Sequence, residues 1–133
     1  MWKNGLTPHL AKGNSIIIGG DFNCTINKKD QLGIPNISQT LNLFVNQFSL
    51  TDLWEYLNQT NVVFTFRHGT AASRIERLYT SNDLKQHIKR SRVVPLAFSD
   101  HHAVICAIQK EINFKQKGKG YWKLNASLML DRL

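Results

Sequence analysis

The sequence has no stretch long enough to span a membrane. Its longest apolar runs, at residues 16–18 and 103–108, fall far short of the roughly 20 residues that a bilayer requires. No charged segment followed by an apolar one opens the chain, so we identify no secretory signal. These absences favour an intracellular protein, nuclear or cytoplasmic.

Cysteine is scarce, and the common metal and nucleotide motifs are absent. Cys24 and Cys106 lack the close spacings of a disulfide framework, so we expect two buried thiols in a reducing compartment. No Cys/His spacing is typical of zinc, and no glycine pattern is typical of a P-loop or a dinucleotide fold. A zinc finger and the common nucleotide-binding folds are therefore excluded.

Acidic residues are outnumbered by basic ones. Nine Asp and Glu stand against 17 Lys and Arg among 133 residues, a net charge of +8. Such a balance favours nucleic acid, an anionic surface or a phosphorylated substrate as partner, although two solvated surfaces explain it equally well. The basic residues form two clusters, Lys85, Lys89, Arg90 and Arg92, then Lys110, Lys115, Lys117, Lys119 and Lys123.

The first half of the chain alternates helix and strand signals. Thr7 and Pro8 resemble the N-cap and first position of a short helix that ends before Gly13. Residues 15–18 are typical of a buried strand that would deliver Asp21 to its carboxyl end. Ser38 can cap a helix with one apolar stripe, which consists of Leu41, Phe44, Val45 and Phe48.

The second half is rich in strand signals. We predict strands at residues 62–66, 74–80, 87–96 and 103–108, with the last one buried because it is almost wholly apolar. A polar loop covers residues 27–36, and after Lys110 the composition changes to Lys, Gly and Gln. We therefore predict a domain at residues 1–109 and a basic linker at residues 110–133.

Asp21 and Asn23 follow the first predicted strand. If the extended geometry continues, both side chains face the same side, where a carboxylate can take a proton from water and an amide can donate to a phosphate oxygen. An ordinary turn explains the same residues, because Gly, Asp and Asn are typical turn formers.

A second polar group precedes the last predicted strand. Asp100 can bind a divalent cation and a protonated His101 can neutralise phosphate charge, although Ser-Asp before a strand is also a common turn. His102 alternates to the opposite side, and we interpret it as structural. Glu76 either accepts a hydrogen bond from His101 and fixes its tautomer, or forms an ion pair with Arg74.

Several segments occur in an order that resembles the endonuclease/exonuclease/phosphatase superfamily. The nearest resemblance is to the apurinic-type endonuclease domain of LINE-type (non-LTR) retrotransposons. A further segment, GKGYWKLNASL at residues 118–128, resembles the region that leads from this domain toward a reverse transcriptase. The segments are IIIGGDFNC at residues 16–24, FTF at 64–66, SRIERLY at 73–79 and SDHHAV at 99–104.

This resemblance implies a fold and a reaction. The fold would be α/β, the C-terminal part of a four-layer α/β sandwich (DNase I-like) with mixed, mainly antiparallel sheets and flanking helices. The reaction would be hydrolysis of DNA phosphodiester bonds that depends on Mg²⁺, or Mn²⁺, and leaves a 3′-hydroxyl to prime reverse transcription. DNA is the implied partner, with no membrane partner.

The resemblance also implies roles for individual residues. Asp21 would orient or deprotonate the attacking water, and Asn23 would hydrogen-bond the scissile phosphate. Asp100, together with Asp21, would hold the metal, while His101 would contact the phosphate and Glu76 would orient His101. The candidates for contact with DNA are Arg74, Lys85, Lys89, Arg90, Lys117 and Lys119.

Two features depart from the family pattern. Glu76 stands where the family usually has Asp, and its extra methylene would displace the carboxylate by more than about 1 Å. The family also carries an Asn, a metal-binding Glu, and a Tyr or His in an N-terminal half for which this sequence begins too late. We therefore expect an N-terminally truncated endonuclease fragment with weak or no nicking activity.

The expected fragment has consequences for partners and alternatives. It would have no stable protein partner, although an exposed sheet face could self-associate. A non-catalytic nucleic-acid-binding remnant and a metal-dependent phosphatase of the same superfamily remain the alternative functions.

Overall fold

The computed structural model describes residues 2–109, with side chains from residue 7 onward. The predicted linker at residues 110–133 lies outside the described residues and stays a prediction. The helices are α1 (Trp2–Ala11), α2 (Gln39–Gln47), α3 (Leu53–Leu57) and α4 (Asn82–Lys85). The strands are β1 (Ile17–Asp21), β2 (Gln31–Leu32), β3 (Thr51–Asp52), β4 (Phe66–His68), β5 (Ala71–Ser73), β6 (Glu76–Thr80), β7 (Ile88–Pro95) and β8 (His102–Ile108).

The strands form three small antiparallel sheets. One has the order β1-β6-β3, a second has the order β2-β5-β4, and β7 pairs with β8 in a ribbon. A single antiparallel bridge between Phe66 and His101 joins the end of the second sheet to the ribbon. The predicted mixed, mainly antiparallel α/β fold is confirmed.

Helix α2 forms where the sequence predicts it. The Ser38 hydroxyl accepts a hydrogen bond from the backbone N–H of Leu41 at 3.1 Å and so caps the first turn. Leu41 and Phe44 are buried against Tyr79 of β6, while Val45 and Phe48 pack at the edge of this core. The apolar stripe is therefore core packing, as predicted.

The boundaries of several predicted elements were wrong. Helix α1 begins at Trp2 and contains Pro8, whereas the sequence pattern predicted a start at Thr7. The strand predicted at residues 62–66 is restricted to β4, which begins at Phe66. The predicted loop at residues 27–36 contains a 3-10 helix, Lys28–Asp30, and strand β2.

The two strands predicted to be buried are largely exposed. Within residues 2–109, β1 pairs only with β6, and β8 pairs only with β7 apart from the bridge at His101. A strand at the edge of a sheet exposes apolar side chains that are covered when other elements pack on both faces of the sheet. Ile17 and Ile105 are accordingly exposed, and this open surface fits the predicted exposed sheet face.

Cys24 and Cys106 are both free thiols, as predicted, but each is half-buried. Burial raises the pKa of the Cys106 thiol and so favours its neutral form. No helix within residues 2–109 is long and apolar enough to cross a membrane.

Four charged side chains form a buried ionic cluster inside the fold. Arg74 Nε lies 3.0 Å from Asp30 Oδ1, and Arg74 Nη1 lies 2.8 Å from Asp52 Oδ2. Arg77 contacts the same two carboxylates, at 2.9 Å from Asp30 Oδ2 and 2.8 Å from Asp52 Oδ2. Each arginine is 2% exposed, so the charges balance one another with almost no help from water.

The cluster keeps Asp30 ionised despite its burial. Burial is the largest single effect and raises the pKa of Asp30, but hydrogen bonds and charges from Arg74 and Arg77 together lower it below the ordinary value. The stability that Asp30 contributes is therefore present above the ordinary pKa of Asp and is lost as the pH falls through its lowered value.

Removing one member of the buried ionic cluster should destabilise the fold strongly. We expect Asp30→Ala to lower the free energy of unfolding by about 3–5 kcal/mol, because two buried guanidinium groups lose a counter-charge. Urea unfolding of the purified chain measures this loss.

The matched control is Lys29→Ala. Lys29 forms a more exposed ion pair with Glu55 at 2.9 Å, and pairs of this kind contribute about 0–1 kcal/mol. Equal effects of the two substitutions would contradict the assignment of the buried ionic cluster as a main support of the fold.

Candidate active site

Asp21 and Glu76 meet across two paired strands. Asp21 is the last residue of β1 and lies directly opposite Glu76, the first residue of β6. Directly opposed residues in an antiparallel pair place their side chains on the same face. The register thus brings two carboxylates together that lie 55 residues apart in the sequence.

Asn23 lies in a turn and does not continue the strand. Its φ of +53° is in the left-handed region, and its backbone N–H donates to Asp21 Oδ1 at 2.8 Å. This local bond is typical of an Asx turn. The prediction that Asp21 and Asn23 share one face of a strand was wrong, and the alternative turn is present.

His101 is brought to Glu76 by the junction between β4 and β8. The backbone N–H of Arg67 donates to the carbonyl of Asp100 at 3.0 Å, and the N–H of His102 donates to the carbonyl of Thr65 at 2.6 Å. The rings of Phe66 and His101 pack with their centroids 4.9 Å apart. These contacts fix the start of β8 against β4.

Thr65 also fixes the start of β6. Its fully buried hydroxyl accepts hydrogen bonds from the backbone N–H groups of Ile75 at 3.0 Å and Glu76 at 3.1 Å. The same residue therefore holds the backbone of both Glu76 and His102. The sequence did not predict this role of Thr65, because in the sequence Thr65 is one β-branched residue within an apolar run.

The Glu76 carboxylate and the His101 imidazole form a hydrogen-bonded pair, as predicted. Glu76 Oε1 accepts from His101 Nδ1, so the extra methylene of Glu76 does not break the contact. The alternative ion pair of Glu76 with Arg74 is absent, because the Arg74 guanidinium points into the buried ionic cluster. The pairing leaves Nε2 of His101, whose side chain is 37% exposed, directed away from Glu76.

This pair favours a protonated imidazole. The hydrogen bond to Glu76 is the main cause that raises the pKa of His101, burial opposes it, and the charges of Glu76, Asp100 and Asp21 raise it further. A charged imidazolium held by a carboxylate can contact a phosphate oxygen and stabilise negative charge.

Three side chains could share a divalent cation. One ligand atom from each of Asp21, Glu76 and His101 lies within 4.8 Å of the others. Two carboxylates suit Mg²⁺ or Mn²⁺, and the imidazole favours Mn²⁺ more than Mg²⁺. Asp100, which the sequence paired with Asp21 as a metal ligand, is not in this group; its Oδ1 lies 3.9 Å from His101 Nε2.

The basic residues predicted to contact DNA differ in their exposure and in their contacts. Arg74 was predicted wrongly, because its guanidinium is buried and neutralised by Asp30 and Asp52. Lys89 and Arg90 are exposed on β7, whereas the Lys85 ammonium lies 4.6 Å from the centre of the Tyr56 ring. Lys117 and Lys119 lie outside the described residues. An exposed cation that the sequence prediction omitted, Arg67, adjoins Asp100 through its backbone.

A cavity of about 390 Å³ opens beside the candidate site. Its wall includes Asn23, Phe66, Ile75 and His101. One side of the Glu76–His101 pair therefore borders a mainly apolar hollow, and the carboxylates of Asp21 and Asp100 lie on the exposed side.

Sequence and structure comparisons identify proteins that this chain resembles. No family model matches the sequence. The "Transposon TX1 uncharacterized 149 kDa protein" of Xenopus laevis is 34% identical over 130 residues, which cover 92% of this chain and 10% of that protein. The chain thus spans about a tenth of the length of this relative.

Two solved structures have similar folds. The 3′ phosphatase NExo from Neisseria, bound to a product DNA hairpin, superposes with a TM-score of 0.67 at 16% identity, covering 82% of this chain and 51% of that one. The endonuclease domain of TRAS1, a telomere-specific non-LTR retrotransposon, gives 0.62 at 22% identity, covering 84% and 52%. The fold is that of the endonuclease/exonuclease/phosphatase superfamily. The predicted superfamily resemblance is confirmed, and the similarity to the TX1 protein supports a retrotransposon origin.

The raised pKa of His101 should depend on Glu76. We expect Glu76→Gln to lower the pKa of His101 toward the ordinary histidine value, because an amide cannot supply the negative charge that favours the imidazolium. Imidazole chemical shifts followed by NMR against pH measure the change, and Asp100→Asn is the control with a smaller effect.

The raised pKa of His101 also determines how the stability of the fold changes with pH. The Glu76–His101 pair stabilises the fold fully below the ordinary histidine pKa, and this contribution is lost as the pH rises through the raised value. A His101 pKa that is identical in the wild-type chain and Glu76→Gln would contradict the pairing.

Proposed function

We propose that this chain contributes the phosphate-facing part of a divalent-metal-dependent phosphodiesterase that nicks DNA for a retrotransposon. The observation that carries this proposal is the convergence of Asp21 with the Glu76–His101 pair. The comparisons with a transposon protein and with two nucleic-acid enzymes support the same reaction class.

Each residue has a distinct part in this proposal. Asp21 takes a proton from the attacking water, since its side chain is an exposed carboxylate beside the phosphate position. His101, oriented by Glu76 through Nδ1, donates from Nε2 to a non-bridging phosphate oxygen. Asn23 offers its side-chain amide to the same phosphate from the turn that follows Asp21. The water oxygen forms a bond to phosphorus while the bond from phosphorus to the 3′-oxygen breaks, and a proton from solvent water converts the departing 3′-oxygen to a hydroxyl.

A divalent cation fits the donor set. Asp21 and Glu76 would supply carboxylate oxygens of the kind that Mg²⁺ and Mn²⁺ prefer, and Asp100, whose Oδ1 lies 3.9 Å from His101 Nε2, would hold water that the cation binds. When bound, the cation stabilises the charge of the departing oxygen. Glu76 is already hydrogen-bonded to His101, so we expect weak metal binding and slow nicking by the 133-residue chain.

Supercoiled plasmid tests the proposed reaction. We expect the full chain to convert plasmid slowly to the open-circular form with Mg²⁺ or Mn²⁺, because its catalytic side chains converge. Asp21→Ala and His101→Ala should abolish nicking, and Glu76→Gln should slow it by about 100-fold through loss of His101 orientation. Gel quantification of the two plasmid forms over time measures the rate.

The control is His9→Ala, which removes an exposed histidine in α1 that is not a member of the group Asp21, Glu76 and His101. Its rate should equal that of the wild-type chain. The proposal fails if no nicking occurs with either metal, or if nicking survives Asp21→Ala.

A phosphatase reaction is the second candidate. One structural neighbour is described as a 3′ phosphatase bound to a DNA hairpin, and the same side chains could hydrolyse a terminal phosphate. Release of inorganic phosphate from a 3′-phosphorylated oligonucleotide, without plasmid nicking, would favour this candidate. If wild-type chain that nicks plasmid leaves the 3′-phosphate on the oligonucleotide, the phosphatase reaction is excluded.

The exposed basic residues of β7 support binding to the DNA backbone. Lys89→Ala combined with Arg90→Ala should lower the slope of log affinity against log salt by about two, because each cation that contacts a phosphate contributes about one released counterion. Fluorescence anisotropy of a labelled duplex at several salt concentrations measures the slope.

Lys12→Ala, which removes one exposed cation just after α1, is the control and should leave this slope nearly unchanged. A purely DNA-binding remnant would show the same salt dependence with affinity indifferent to Asp21→Ala and without nicking. Equal slopes for the wild-type chain and the β7 double variant would contradict a role for Lys89 and Arg90.

A further inference from the structure

The turn between β7 and β8 presents a fully exposed phenyl ring next to the candidate site. The Phe98 side chain is fully exposed to solvent, and Leu96, two residues earlier, is half exposed. Exposure of a whole aromatic ring leaves its apolar surface in water, which is unfavourable unless a partner covers it. The whole face of this ring is therefore available to a partner.

The turn is held in place by hydrogen bonds. The backbone N–H of Ser99 donates to the carbonyl of Leu96 at 3.5 Å, and the Ser99 hydroxyl accepts from the N–H of His101 at 3.0 Å. The carbonyl of Asp100 accepts from the N–H of Arg67. The C-terminal side of the turn is thus tied to the residues that position His101, so the backbone that carries Phe98 continues directly into the site.

The ring is close in the chain to the candidate site. One residue separates Phe98 from Asp100, so their Cα atoms lie within about 7 Å of each other. Arg67, whose side chain is exposed and lies over the Phe64 ring at 5.2 Å, supplies a cation on the neighbouring strand β4. An exposed ring beside a cation and a phosphate-binding histidine is the combination that single-stranded or distorted nucleic acid requires.

We propose that Phe98 stacks on a nucleobase adjacent to the phosphodiester that Asp21 and His101 engage. This inference rests on the proposed function, since it places DNA at the same site. Stacking on a ring is tolerant of base identity, because each base offers a π-face. Phe98 therefore contributes affinity and holds the strand in position, and it does not select a sequence.

The test compares Phe98→Ala, Phe98→Trp and the control Leu43→Ala in the full chain. Leu43 is an exposed apolar residue on α2, so its removal matches the loss of exposed apolar surface. A fluorescein-labelled single strand and a labelled duplex with one unpaired base serve as probes in fluorescence anisotropy. We expect Phe98→Ala to weaken binding by roughly 10- to 100-fold, Phe98→Trp to retain it and Leu43→Ala to leave it unchanged.

Each other outcome overturns the inference. Equal affinities for Phe98→Ala and Leu43→Ala would show that no base stacks on the ring, even if plasmid nicking establishes the proposed function. Conversion of a dimer to a monomer by Phe98→Ala, without a change in DNA affinity, would assign the ring to contact between copies of the chain. A large fall in melting temperature for Phe98→Ala would show that the chain itself covers the ring.

The two proposals can fail separately. Weaker binding by Phe98→Ala in a chain that does not nick plasmid would support stacking and reject the nuclease reaction. Asp21-dependent nicking with Phe98-independent binding would support the reaction and reject stacking.

Discussion

The buried ionic cluster of Asp30, Asp52, Arg74 and Arg77 determines how the rest of the structure is arranged. It ties the end of the 3-10 helix, the β3–α3 junction and the start of β6 together through four short contacts. Asp52 also accepts hydrogen bonds from the N–H groups of Trp54 and Glu55 in α3, so one carboxylate caps a helix and neutralises two arginines. Because Arg74 and Arg77 flank Glu76, the cluster sets the position of the candidate site.

The sequence correctly predicted those elements whose structure depends on residues near to one another in the chain. The Ser38 cap and the stripe of α2 were correct, because capping and 3.6-residue periodicity act within one helix. The predicted burial of β1 and β8 was wrong, because the burial of a strand depends on which distant elements pack against it. Arg74 was assigned to DNA for the same reason, since its two partners lie 44 and 22 residues away.

The sequence predicted which residues belong to the candidate site better than it predicted how they are arranged. The resemblance named Asp21, Glu76 and His101, and the Glu76–His101 hydrogen bond is present. Asp100 was expected among the metal ligands, yet Glu76 takes that place in the described group. The difference arises because the antiparallel register places Glu76 directly opposite Asp21, and strand register across 55 residues is not visible in any local pattern.

The central claim is that side chains from β1, β6 and the start of β8 form one metal-responsive site. The most direct test is a Mn²⁺ titration of the isotope-labelled chain followed by NMR, because the paramagnetic ion broadens only nearby resonances. The account predicts early broadening confined to the surroundings of Asp21, Glu76 and His101, and its loss in Asp21→Ala. Broadening that is diffuse, or that persists in Asp21→Ala, would contradict the account.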